Sequence, residues 1–288
     1  MNETRIMKNV KKNRMSPAKL LDACLTYAIL IVVAFIFFFP CLWLIMASFS
    51  KSGSIYSFDG FFPKEYSLGS FKKLFCDTRL YDYPKWFLNT LFIAAASSIL
   101  GTFLTILTAY TMSRFRFKGR KALMKGTMLL SMFPSFMGMT AVYILMTQFK
   151  LVNQPLGLVL IYAAGAPMGY LTQKGYFDTI PKAIDEAAKV DGASNLSIFL
   201  HINLPLSKPI IVYTALTSFT WPWSDFILPK LLLKEKNLYT VAVGLMSLDD
   251  TEFARFAAGS VFIAVPIVIL YFCLVKNMVT GILEGAVK

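Results

Sequence analysis

Long apolar runs separated by short polar intervals set the plan of this chain. A helix needs about 20 apolar residues to cross the hydrocarbon core of a bilayer. Six stretches reach that length: residues 25–49, 87–112, 124–149, 156–177, 209–229 and 256–280. They are continuously apolar instead of alternating, which predicts helices and disfavours the strands of a transmembrane barrel. The predicted fold class is all-α, a membrane protein of six transmembrane helices. Pro40, Pro134, Pro167, Pro222 and Pro266 fall inside the runs, where neighbouring helices satisfy the freed carbonyls, so each predicts a kink. The first run follows a basic arm, as a secretory signal does. It is too long for a signal core and no small-x-small cleavage pattern follows it, so it reads as a retained signal anchor.

The runs divide the chain into a basic arm (1–24), a six-helix domain (25–280) whose longest inner loop is 178–208, and a short tail (281–288). Of the 288 residues 56% are hydrophobic and 16% charged, whereas ordinary soluble domains carry about 25% charged residues. No interval between runs exceeds roughly 40 residues, too few for a separate catalytic domain of the usual ~50 to 250. The chain is one membrane domain.

A net charge of +13 invites a nucleic-acid reading, but the positions of the basic residues argue against it. Arg5, Lys8, Lys11, Lys12, Arg14 and Lys19 precede the first run, and Arg114, Arg116, Lys118, Arg120 and Lys121 lie between the second and third. Clusters beside apolar spans bind anionic lipid headgroups and orient the spans. With the N-terminus inside, 18 Lys and Arg residues fall on the inner side and 11 on the outer. Both termini are therefore expected in the cytoplasm. The same count puts the 178–208 loop inside.

That loop carries its own helix signals. Pro181 opens a helix at no cost in hydrogen bonds. Lys182 with Glu186, and Asp185 with Lys189, are opposite charges at i,i+4 that support a short exposed helix. Ala183, Ala187 and Val190 form a small-residue stripe, and Asp191-Gly192 ends the helix, with Gly192 free to take a left-handed cap. A second helical run places Leu196, Phe199 and Leu200 on an apolar face before Leu204-Pro205 stops it. Such an element suits docking. Ala187 and Ala188 let the helix sit deep in a partner's groove, Glu186 can pair with a basic group there, and Gly192 permits the tight turn. Charge pairs and alanines make a poor membrane-binding face.

Other chemistry is sparse. Cys24, Cys41, Cys76 and Cys273 have no metal-ligand or disulfide spacing, and His201, the single histidine, fits a polar position on an interfacial helix. No Gly-x4-Gly-Lys-Ser/Thr phosphate loop occurs, so the chain has no evident means of hydrolysing ATP. Asp225 is the conspicuous acid in a span, beside Trp221 and Trp223. Its bracing role is favoured over a contact with a transported solute, and the tryptophans read as an aromatic belt before they read as stacking platforms. Trp223 and Asp225 remain the candidates for a substrate path.

The spacing Glu186-Ala187-Ala188, Gly192, Ile202, Leu204-Pro205 resembles the signature of permease subunits of ATP-binding-cassette importers. Within that family, Trp86-Phe87-Leu88-Asn89-Thr90, the basic turn from Arg114 to Arg120, Trp223-Ser224-Asp225-Phe226 and the ending from Gly281 to Lys288 resemble carbohydrate importers of the maltose type. Size and span number match the shorter, MalG-like subunit. The resemblance implies the type I importer permease fold, with a coupling helix in the 178–208 loop. It assigns ATPase docking to Glu186, Ala187, Ala188, Asp191, Gly192, Leu204 and Pro205. Partners implied are a second related permease, two ATPase subunits that use ATP and Mg, and an extracellular solute-binding protein. This chain is then a non-catalytic subunit without a cofactor or metal of its own. Residues 238–245 resemble a loop that probes the binding protein. Ala141 departs from the family, where proline is expected, and leaves the bending of the third span open. The implied cargo is a carbohydrate, an oligosaccharide foremost. Related permeases for another solute, such as glycerol phosphate, share every motif quoted and give the alternative within the family; an ion-coupled secondary transporter is the alternative of a different class.

Overall fold

The computed structural model describes residues 17–51, 53–54, 62–165 and 169–286. Arg5, Lys8, Lys11, Lys12 and Arg14 of the basic arm, Pro167, Val287 and Lys288 lie outside the described residues. Along the chain, α1 (Pro17–Ser48) is the first span, and the short α2 (Gly69–Cys76) follows it. The second span is α3 (Tyr83–Arg114), where the Asp82 carboxylate accepts the Lys85 N–H at 3.2 Å and caps the start. The third comprises α4 (Arg120–Ser131) and α5 (Met139–Gln148), and the fourth comprises α6 (Pro155–Ala164) and α7 (Gly169–Thr179). The polar loop holds α8 (Lys182–Val190) and α9 (Asn195–Leu206). The fifth span is α10 (Lys208–Ser224), followed by α11 (Ile227–Leu232) and α12 (Val241–Leu245); the last is α13 (Phe253–Ala286). The protein is all-α, and among the described residues the one β-type contact is an isolated bridge between Ser50 and Tyr66.

Three predicted spans are interrupted, two of them for a plain local reason. The run 124–149 breaks at Pro134, whose extended backbone (φ −57°, ψ 127°) leads into a 3-10 turn at Ser135–Gly138, and α4 and α5 meet at 96°. Proline has no N–H to continue a helix and forces its predecessor out of the helical region. Ala141, the departure noted above, lies inside α5, so the bend sits earlier in the chain and does not need a proline at 141. The run 209–229 stops at Ser224. Asp225 turns extended (ψ 122°) and its Oδ1 accepts the N–H groups of Ile227 and Leu228 at 3.1 and 3.4 Å, which starts α11 afresh. In the fourth span α6 and α7 differ in direction by 44°. Pro40, Pro222 and Pro266 lie within continuous helices.

α3 is the hub, packed against α6, α7, α10 and α12. Small residues on it, among them Ala94, Ser97, Ser98 and Gly101, let neighbours approach closely. A Cβ at Gly101 would stand 3.4 Å from the Ala163 Cα on α6. α10 packs in turn on α13, and α13 on α1 and α2. α1 leaves most of its apolar length uncovered, and its Trp43 ring lies 5.6 Å from Phe253 on α13.

The head of α3 anchors the segment expected to probe a partner. The Trp86 indole N–H donates to the Lys236 carbonyl at 2.7 Å, and Asn89 Nδ2 donates to the carbonyls of Asn237 and Tyr239. Thr90 Oγ1 accepts the Val241 N–H at 2.8 Å. Residues 239–241 and 243–245 are buried, and Gly244 lies so close to the Trp86 ring that any Cβ there would overlap it. The 238–245 segment is therefore no free loop. It is a helical plug held by hydrogen bonds, and Met246 just beyond it is exposed.

Candidate functional site

α8 and α9 form a bracket at the end of α3. Pro181 precedes α8 with an extended backbone, and the helix closes on a left-handed glycine, Gly192, at φ +84°. The Ala193 N–H donates to the Ala188 carbonyl at 2.9 Å and the Gly192 N–H to the Lys189 carbonyl at 3.0 Å. These are the two bonds of a Schellman cap, which satisfies carbonyls that would otherwise be orphaned. Asp191 supplies the cap position itself. Nothing stands within 4 Å of a Cβ built at Gly192, so backbone conformation and not crowding selects glycine there. Ser194 then caps α9 by accepting the Ser197 N–H.

The inner face of the bracket is fixed by charge. The Asp185 carboxylate lies 2.8 Å from Arg114 Nε at the last turn of α3, with both side chains at least nine-tenths buried. Asn203 Nδ2 donates to Asp185 Oδ1 at 2.8 Å. Arg114 Nη2 donates to Asn203 Oδ1 and to the Ile180 carbonyl. Three side chains from α3, α8 and α9 thus close a triangle. Beside it Tyr110 packs on Phe199 at 4.6 Å and on Phe177 at 5.7 Å. Neither expected i,i+4 pair forms: Asp185 turns inward to the arginine, and Lys182, Glu186 and Lys189 have no ion-pair partner among the described residues. The apolar face of α9 divides as well. Ile198 and Phe199 are buried, whereas Leu196 and Leu200 stay exposed.

The outer face is open. Glu186 and Ala187 are exposed, Ala188 is half-buried, and Val190 is 89% exposed. Leu204 is half-buried and Pro205 exposed at the far end. A recess of ≈ 280 Å³ runs between α8 and the end of α3, with Lys182, Glu186 and Lys189 on one wall and Arg114 and Tyr110 on the other. Glu186 and Ala187, singled out in the sequence, therefore stand together on a solvent-facing surface. Arg114, Asp185 and Asn203, which hold that surface in place, were not singled out as site residues. Two of them flank quoted motif positions, and a polar residue beside Glu186 or Leu204 carries no signal of direction. His201 contacts its own helix, with Nδ1 3.1 Å from the Ser197 carbonyl.

A second feature lies between the spans. The turn after α4, the facing ends of α6 and α7 at Gly165 and Gly169, and the end of α10 all border one cavity of ≈ 990 Å³. Irregular backbone at membrane depth is tolerated where it lines a cavity or is covered by protein. Asp225 is on its wall, with Oδ2 accepting the Tyr162 hydroxyl at 2.9 Å, and the exposed Trp221 joins it. Trp223 does not. It is buried against Phe87 and Phe219, at 5.1 and 6.0 Å, as part of the core and of neither an aromatic belt nor this wall.

Residues 101–288 match the family described as binding-protein-dependent transport system inner membrane component. The chain is 38% identical over 272 residues to the galactooligosaccharides transport system permease protein GanQ of Bacillus subtilis (strain 168), covering 91% of this chain and 94% of that one. It is 37% identical over 278 residues to the maltodextrin transport system permease protein MdxG of the same organism, covering 95% and 99%. Among solved structures it resembles a chain of a bacterial ABC transporter involved in the import of the acidic polysaccharide alginate. That TM-score is 0.74 at 19% identity, over 91% of this chain and 98% of the other, a likeness of fold.

Proposed function

We propose, from the premise that this chain belongs to the binding-protein-dependent transport system inner membrane components, that it is the permease subunit of an ATP-driven carbohydrate importer. Its cargo is an oligosaccharide, in keeping with relatives named for galactooligosaccharides and maltodextrin. It forms half of a translocation pathway with a second, related permease. Two ATPase subunits bind ATP and Mg and grip the loop, and an extracellular binding protein delivers the sugar. Both termini are cytoplasmic, as the Lys and Arg asymmetry favours. The chain itself moves solute and catalyses no reaction.

One observation carries the reading: the bracket of α8 and α9 is fastened on its inner face by a buried ion pair while its outer face, with Glu186 and Ala187, is left open. A lever must be stiff toward what it moves and accessible to what moves it. Arg114 ends α3, and α3 packs on α6, α7 and α10, so displacement of α8 is delivered to the core of the bundle. ATP-driven closure of the partners then biases the spans between inward- and outward-facing arrangements. In proteoliposomes containing all subunits, sugar-loaded binding protein should accelerate ATP hydrolysis, and Glu186→Lys should weaken ATPase association. Normal assembly and transport by the Glu186 variant would refute the docking assignment.

A further inference from the structure

We infer that Asn153 is a positioning residue for transport: it fastens α11, the helix that follows the fifth span, to the fourth span, so that α11 moves with α6 and not with α10. The inference rests on the importer reading and adds a mechanical division of the chain that covalent order does not suggest.

Asn153 lies in the turn between α5 and α6, where its backbone is left-handed at φ +61°. Lys150, at φ +57°, is the other non-glycine residue of that kind among the described residues. Asparagine visits this region more readily than most residues because its short side chain can hydrogen-bond to nearby backbone. Here it bonds to a distant segment instead. The Asn153 N–H donates to the Leu232 carbonyl at 2.9 Å, and Oδ1 accepts the Lys234 and Glu235 N–H groups at 2.9 and 3.2 Å. Nδ2 donates to Glu235 Oε1 at 2.7 Å. Leu232 ends α11, where a helix leaves its last carbonyls without intrahelical partners. One residue of the α5–α6 turn thus caps a helix far along the chain.

The other end of α11 is fastened to the same span. Asp225 Oδ1 starts the helix, and its Oδ2 accepts the hydroxyl of Tyr162 on α6. Between these ends Leu228, Leu232 and Leu233 are buried in the core cluster that holds Leu158 and Val159 of α6, and Leu151 and Val152 of the turn pack against it. Lys234 Nζ lies 5.7 Å from the Tyr143 ring of α5. α11 accordingly has α6 and α5 as its main neighbours, although the chain enters it from α10. At the point of entry α10 has ended and Asp225 is extended. An extended residue between two helices, one packed on α3 and α13 and the other on α6, is a place where a change of backbone angle is absorbed. A segment carried by α6 travels when that span travels, and one left loose does not.

The test uses the complete transporter in proteoliposomes with binding protein, and reads ATP hydrolysis and uptake of radiolabelled maltotriose and galactotriose in the same vesicles. Asn153→Gly keeps the left-handed turn and deletes the side chain. Uptake per ATP hydrolysed should fall severalfold while binding protein still accelerates hydrolysis, because the bracket of α8 and α9 is untouched. A defect of stability alone would lower hydrolysis and uptake together and leave their ratio unchanged. Hydrogen exchange at the Lys234 and Glu235 amides should quicken roughly tenfold. Asn153→Asp keeps the acceptor but sets a carboxylate against Glu235, and should also lower the ratio. Adding Glu235→Gln restores the hydrogen bond with donor and acceptor exchanged and should return the ratio toward wild type. This pair decides the matter if the glycine variant fails to assemble. The inference falls if the ratio in Asn153→Gly equals that of wild type, if exchange at 234 and 235 is unchanged, or if Glu235→Gln does not rescue Asn153→Asp. The importer reading is judged on the wild type alone: no uptake of either trisaccharide with an active ATPase overturns that reading, and the exchange measurement still tests the fastening of α11.

Discussion

Single residues decide how firmly the coupling bracket is held. Asp185 shares a buried contact with Arg114 and Asn203, and removing one member of such a pair leaves an uncompensated charge that costs about 3 to 5 kcal/mol. Asp185→Ala should accordingly loosen α8 and make it protease-sensitive. The double variant with Arg114→Met should recover part of that loss, as a double-mutant cycle of thermal stabilities would read. An additive cycle would show that the pair is not energetically coupled. At Gly192, alanine should cost about 1 kcal/mol or more through the left-handed backbone alone, and valine more. Circular dichroism melts of the assembled complex would measure it, and an unchanged Gly192→Val variant would mean the cap is not formed. The glycine was legible in the sequence, because Asp191-Gly192 after a helical run is a stop signal. The inward turn of Asp185 was not. Local spacing paired it with Lys189, and a tertiary arginine at the end of α3 outcompeted that exposed partner, since an exposed i,i+4 pair is worth only a few tenths of a kcal/mol.

At the scale of elements, the apolar runs announced the helices and concealed their breaks. Hydropathy does not distinguish a kinked span from two helices meeting at 96°, so the third span read as one helix with a kink at Pro134. Proline alone was not decisive either: Pro222 and Pro266 lie in unbroken helices. At Asp225 the signal was chemical, a side chain able to cap the next helix, and it cut short the run 209–229. The motif at the head of α3 gains a reason from the structure. Trp86, Asn89 and Thr90 recur at i, i+3 and i+4, one face of a helix, and that face binds the buried segment around Val241. Thr90→Val should leave the Val241 N–H unpaired and lower the stability of the 238–245 plug by about 1 kcal/mol, which hydrogen exchange at residues 240–245 would register as faster. The sidedness of these elements has its own measurement. Single cysteines at Ser194 and Ser70 in a cysteine-free variant should react with an impermeant reagent only at position 70 in sealed cells. Modification at 194 would invert the topology.

For the molecule as a whole, the source of energy is the discriminating quantity. Reconstituted by itself the chain should show no ATPase activity, and with its partners uptake should persist in the presence of a protonophore. Asp225→Asn retains an acceptor for the Ile227 and Leu228 N–H groups, so it should change maximal rate or sugar preference while transport still requires ATP. Uptake by this chain alone that collapses with a protonophore, and vanishes in Asp225→Asn, would favour an ion-coupled transporter. The packing of α1 bears on a different stage of the protein's life. α1 emerges first from the ribosome and α13 last, yet each is a principal neighbour of the other. Throughout synthesis the first span must therefore reside in lipid without its eventual intramolecular companion, and its long uncovered apolar surface suits it to that wait. A chain halted before α13 has its hub around α3 but an orphaned first helix, the kind of unmatched surface by which membrane quality control tells an unfinished chain from a finished one.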